Sequence, residues 1–266
     1  MSQTGPGLTL QQILSPLRNA RLVVFALLAN FVVAPLLAVS MARLLRLDGP
    51  YAQGLPSLGL AAGAPFMPKI AGMAKGDVAV GLTVMLMVGT IVLPPLVLPL
   101  LVNGAQVNPL KTARSLILPL LLPLTVGMIV RARAASIAVR LARVPGRVPD
   151  VTLPSTIVLI IALRLQRLLC IFGTGAIYAG FLFSVLAALS GWLLGGGKAA
   201  RRTVLGLGTG LRNFPAASIA SGQDFSDPGV SAMVIVCKPT ALVVLLHAAR
   251  LTGKHELAAL QELDGP

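Results

Sequence analysis

The sequence predicts an all-α integral membrane protein of about eight transmembrane helices, and three observations predict it. Hydrophobic residues make up 56% of the 266 and charged residues only 11%, with a mean hydropathy of +0.87; soluble domains run at about 25% charged. The long apolar stretches are apolar all round rather than alternating, which selects helices over an outer-membrane barrel. Two stretches near opposite ends of the chain are broken by Gly and Pro, and each carries a lone cation at the break.

Eight spans are expected, at 20–42, 53–73, 78–102, 113–131, 151–169, 173–194, 202–221 and 229–249. The third and sixth contain no charged residue and are the plainest. The second reads GLAAGAPFMPKIAGMAKGD (Gly59–Asp77), with Lys69 at its centre, and the seventh reads LGLGTGLRNFPAASIAS (Leu205–Ser221), with Arg212. Helix interiors avoid Gly and Pro, and a cation at the bilayer centre costs about 2.5–3.5 kcal/mol on insertion scales. Bearing that cost twice, at matching places, points to a binding site at the membrane midplane. The fifth span carries Arg164 and Arg167, expected to snorkel to an interface.

The net charge of +14 does not indicate nucleic acid, because the Lys and Arg residues sit in short runs between apolar segments with no aromatic stacking platform nearby. Most of them fall on one side if the N-terminus is cytoplasmic, while the opposite loop between the last two spans carries Asp224 and Asp227. The expectation is a multi-pass inner-membrane protein with both termini cytoplasmic. Spans one to three then run opposite to spans six to eight, each triplet with a broken middle member. That is the pattern of an inverted repeat: a first core repeat at 1–102, a helix pair at 103–172, a second core repeat at 173–250 and a cytoplasmic tail at 251–266.

Candidate substrate-site residues are Lys69, Arg212, Asn213 and Asn30. Each has a plainer alternative. Lys69 can snorkel from the end of a short half-helix, and Arg212 can be an interfacial arginine. Asn30 can be a hydrogen-bonder between packed helices, and Asn213 can satisfy carbonyls left free at the break. Lys238, beside Pro239, is a lesser candidate if the proline opens its helix. Cys170 and Cys237 lack metal-ligand spacing and read as unpaired filler; Met85, Met87 and Met233 read as packing. No span holds a Ser–His pair, an Asp pair or a His–Glu metal motif, so an enzyme is not expected, and no cofactor or metal site is read from the residues.

At the broken helices the chain resembles the bile acid:sodium symporter family. The resemblance is carried by GAPFMPKIAGMAKGDVAVGLTVMLMV (Gly63–Val88), LGLGTGLRNFPAAS (Leu205–Ser218) and LLANFVVAPLLAVSMARLL (Leu27–Leu45), and covers nearly the whole chain. It implies a core domain in which two broken helices cross at mid-membrane, moving against a panel domain to give alternating access. Two departures stand out. The family's first two panel helices have no counterpart here, so half of the panel is expected to be missing, with an oligomer or partner replacing it. The family's sodium-ligand positions correspond to Met67, Pro68, Gly81, Met85, Gly208 and Arg212, and only Asn30 keeps an oxygen ligand. Sodium is thus implied by the resemblance while few of its side-chain ligands remain; Lys69 and Arg212 place fixed positive charge where the family holds sodium.

The function this favours is a secondary membrane transporter for an organic anion. Proton coupling and facilitated exchange fit the residues as well as sodium coupling does. An arsenite-efflux carrier would want a thiolate in the first broken helix, and positions 59–77 hold no Cys. The alternative from another class is a non-transporting truncated membrane protein, or a subunit that needs a partner to complete its panel.

Overall fold

The computed structural model describes residues 19–63, 79–102, 107–133, 171, 173–197 and 199–263. The expected span at 151–169, with Arg164, Arg167 and Cys170, lies outside the described residues, and so does the segment holding Lys69. What is described is entirely helical, without strands: α1 (Ala20–Leu44), α2 (Gly49–Leu60), α3 (Ala79–Leu101), α4 (Pro109–Arg133), α5 (Ala176–Leu194), α6 (Ala199–Gly210), α7 (Phe214–Asp224) and α8 (Pro228–Leu263). Among the described residues, four stretches are long and apolar enough to cross a bilayer: Ala20–Leu44, Gly81–Leu101, Ala176–Leu194 and Pro228–Ala249.

The helices present aliphatic stripes outward. On α1 these are Val24, Leu28, Val32 and Leu36, and on α3 Val88, Val92, Leu96 and Leu100, each recurring every fourth residue and each exposed. Four-residue spacing keeps a stripe on one helix face. Contiguous apolar surface of this kind is foreign to a water-soluble monomer and ordinary against lipid chains. Inward, the helices meet through small residues, as membrane helices do when no water is available to drive association. Ala26, Ala34 and Ala38 of α1, Ala179 and Ala187 of α5, and Ala241 of α8 are fully or almost fully buried around Phe183. Where α5 meets α8, a side chain at Gly180 would come within 2.6 Å of the Cys237 sulfur, so the glycine sets how closely the two helices approach. Cys237 itself is a buried thiol, unpaired among the described residues.

The interruption expected at 202–221 is present: α6 ends at Gly210 and α7 begins at Phe214. The interruption expected at 53–73 is present on its first side, where α2 ends at Leu60 and the chain turns extended at Ala61. The condition on which Lys238 is a candidate is not met. Pro239 does not open its helix; α8 runs unbroken from Pro228 through Lys238 and Pro239 to Leu263, well into the expected tail. The long apolar run on both sides of the proline supplies enough helical bonds and packing to absorb one missing N–H.

An irregularity that the sequence reading did not foresee lies in α1. Residues Ala29–Val33 form a single π turn, in which Ala34 N–H reaches back five residues to Ala29 O. Pro35 follows directly and has no N–H to give. The carbonyl of Asn30 is thus denied both helical donors it could use, Ala34 and residue 35. A free carbonyl inside an apolar bundle must find another donor.

Candidate functional site

The donor that Asn30 finds is Arg212. Its guanidinium is 1% exposed and uses all five of its N–H groups on oxygens of the protein. Nη2 donates to Asn30 O at 3.2 Å and to Gly59 O. Nη1 donates to Asn30 Oδ1 at 2.9 Å and to Thr209 O at 3.1 Å, and Nε donates to Leu58 O at 3.4 Å. The Asn30 amide nitrogen, in turn, donates to Ala26 O at 3.0 Å and to Thr209 Oγ1 at 3.2 Å.

The positions of these carbonyls follow from the helix breaks. Leu58 and Gly59 lie in the last turn of α2, and Thr209 in the last turn of α6, where carbonyls lack the i+4 donor of a continuing helix; Leu58 O also accepts the Ala61 N–H at 3.1 Å. Each such end carries roughly half a negative charge. The C-terminal ends of α2 and α6 therefore point their negative charge at one buried cation, and the π turn of α1 adds an amide and a backbone carbonyl from a third direction. Among the described residues every hydrogen-bond partner of Arg212 is an uncharged oxygen.

The two breaks also bond to each other. Asn213 N donates to Ala61 O at 2.8 Å, and its side-chain nitrogen donates to Gly63 O at 3.1 Å. The side-chain oxygen of Asn213 meanwhile caps α7 by accepting from Ala216 N at 3.1 Å, the usual role of asparagine at a helix start. One side chain thus ends one break and clamps the other. Gly63 turns the chain with φ +73°, and a β-carbon there would run into the backbone of Met87 and Leu86 on α3. Thr90 of α3 holds the same break: its hydroxyl accepts from Ala62 N at 2.8 Å and donates to Ala62 O at 2.9 Å.

The structure therefore brings Asn30, Arg212 and Asn213 together across three elements distant in sequence. Lys69 lies outside the described residues. Lys238 stands half-exposed on α8, away from the hydrogen bonds of the crossover. The sequence reading missed Thr90 and the π turn. Pro35 five residues after Asn30 was the available signal for the turn; a threonine in a long apolar span gives none. Among the described residues no group of His, Cys, Asp and Glu could hold a metal ion.

One further polar contact ties α4 to α7. Thr112 Oγ1 donates to Asp224 Oδ1 at 2.6 Å, with Asp224 2% exposed and its second oxygen buried without a protein hydrogen-bond partner among the described residues. Burial pushes the Asp224 carboxyl above its ordinary range, opposed in part by the Thr112 hydrogen bond and by the charge of Lys111.

The described residues are those of an all-helical membrane protein in which the interruption between α6 and α7 is bonded to the segment that follows α2. The chain belongs to the sodium bile acid symporter family, whose model matches residues 1–171. That is a family of membrane transporters, not enzymes. The match ends before the second interrupted helix, so Arg212 and Asn213 stand outside it. No curated protein matches the chain.

Proposed function

We propose that the chain is a secondary carrier for an organic anion, working by alternating access around the crossover, with Asn30, Lys69, Arg212 and Asn213 as its substrate-site residues. The observation that carries this reading is the direct bonding of the two breaks through Asn213, Ala61 and Gly63. Continuous helices would seal their own polar groups, whereas interrupted ones concentrate dipoles and free backbone groups where a solute can be handled. In the conformation described, Arg212 acts through its charge rather than through free N–H groups. The positive sign of Arg212 and Lys69 favours an anion.

We read 1–102 and 173–250 as two inverted core repeats, with the helices of 103–172 as the surface they move against. Packing supports this: α1 lies on α2 as α5 lies on α6, and α2 and α8 pack together across the two halves. A cavity of about 360 Å³ lined by Arg43, Arg46, Gln53 and Pro56 among others lies beside the turn between α1 and α2, and its two arginines suit an anion. The multi-pass chain is proposed to sit in the inner membrane with both termini cytoplasmic.

The test is uptake of radiolabelled bile acids and smaller carboxylates by proteoliposomes, measured against liposomes without protein. Saturable, protein-dependent uptake of at least one anion is expected. Absence of uptake for all of them would favour a non-transporting membrane protein.

A further inference from the structure

The pairing of one guanidinium with five oxygens has a consequence for the coupling ion. Hard cations such as sodium are held by several oxygens, and carriers supply these from unwound backbone and from the C-terminal ends of half-helices. This crossover has that set: Asn30 O and Oδ1, Leu58 O, Gly59 O and Thr209 O. Every one of them receives an N–H of Arg212, and no carboxylate is among them. A sodium ion does not fit beside a cation that already uses the whole donor set. We infer that the Arg212 guanidinium is a tethered cation filling an ion cradle built by the two helix breaks and the π turn of α1, so that this site never takes up or releases sodium.

Three features support the assignment over a plain buried arginine. Four of the five acceptors are backbone carbonyls at the ends of α2 and α6 and at the π turn, of which Leu58 O also receives the Ala61 N–H at 3.1 Å, so the cradle comes mostly from interrupted backbone and not from side chains selected to pair with arginine. The negative ends of two helix dipoles converge on the charge, which is favourable for any cation placed there. The arginine belongs to the break itself, between Gly210 and Asn213, and is 1% exposed, so the charge cannot leave the cradle without giving up all five of its hydrogen bonds. An ion that binds and leaves can gate a transport cycle by its occupancy. A covalently held one keeps the crossover charged whether or not sodium is present, and the energy for uphill movement has to come from another ion or from exchange of one anion for another.

The inference deepens the carrier reading and rests on it for its meaning in transport. The test below reads the cradle alone, so the two can fail separately. The full chain, purified in detergent, is melted while followed by circular dichroism in sodium chloride, in choline chloride and in choline chloride with low-millimolar guanidinium, at matched ionic strength. The parent is expected to melt at the same temperature in all three. The Arg212→Ala variant empties the cradle and is expected to melt lower in choline, with recovery of part of the loss in sodium, in guanidinium or in both. A sodium-specific rise in the melting temperature of the parent overturns the inference, and this outcome is read even if the variant does not fold. A folded Arg212→Ala protein that melts alike in all three salts also overturns it, because the five oxygens would then hold no cation.

Discussion

Arg212 Nη1 and Asn30 Oδ1 lie 2.9 Å apart although 182 positions separate them in the chain. This bond joins the π turn of α1 to the break between α6 and α7. It is also the only one of the five arginine contacts in which a side chain accepts; the other four acceptors are backbone carbonyls. Asn30 therefore offers the simplest way to perturb the cradle by substitution while leaving Arg212 in place.

Replacing Asn30 with leucine leaves one guanidinium N–H and the Thr209 hydroxyl without partners in a buried site. A hydrogen bond to a charged group contributes about 1.5–3 kcal/mol, and a buried charge that loses a partner is costly in its own right. Asn30→Leu should lower the melting temperature clearly. Asn30→Asp, which keeps the acceptor and adds a countercharge, should hold closer to the parent. Thermal melts of the two variants in one detergent check the order.

Thr90 should behave as a clamp on the first break. Thr90→Val preserves shape and removes the hydroxyl, leaving the buried Ala62 N–H without its acceptor. An unsatisfied buried donor costs about 1–3 kcal/mol. Thr90→Ser keeps the oxygen and should lose much less. If valine and serine variants melt alike, the hydroxyl is not what holds Ala62.

Asp224 makes a prediction about pH. Its carboxyl is raised in the folded chain, chiefly by burial. A raised carboxylate holds its proton more tightly folded than unfolded, so its drag on stability is absent below the ordinary value of 3.8 and grows as pH climbs through the raised folded value. Asp224→Asn keeps an oxygen for Thr112 and removes the charge. The variant should melt above the parent at neutral pH, and the gap should close as the solution is acidified toward pH 3.8. A gap that stays constant with pH would mean the carboxyl is not the titrating group.

Much of the fold could be read from the chain because bilayer physics is coarse. Long uncharged runs become helices, and Gly- and Pro-rich interruptions become breaks, as at 211–213 and 61–63. Asn30, Arg212 and Asn213 were visible as polar residues in apolar surroundings, where each needs a partner. What those partners are was not visible, since four of the five acceptors for Arg212 are main-chain carbonyls, a group every residue carries. Which carbonyls lack a helical donor depends on where helices stop, and element ends are the least determined feature of a sequence. Thr90 and Thr112 were missed for a related reason: a threonine in a membrane helix most often bonds its own preceding turn, as Thr240 does with Cys237 O. At Pro239 the sequence leaves the helix open to either course, and α8 runs unbroken because the local breaker is outweighed by the run around it.

Initial rates of anion uptake into proteoliposomes, with sodium replaced by choline on both sides, test the central claim most directly. Equal rates in the two salts for the parent are predicted, together with a fall of at least about tenfold in Arg212→Gln, the equivalent of losing one charge-assisted hydrogen bond. Uptake by the parent that requires sodium, or an Arg212→Gln protein that transports as the parent does, would contradict the account.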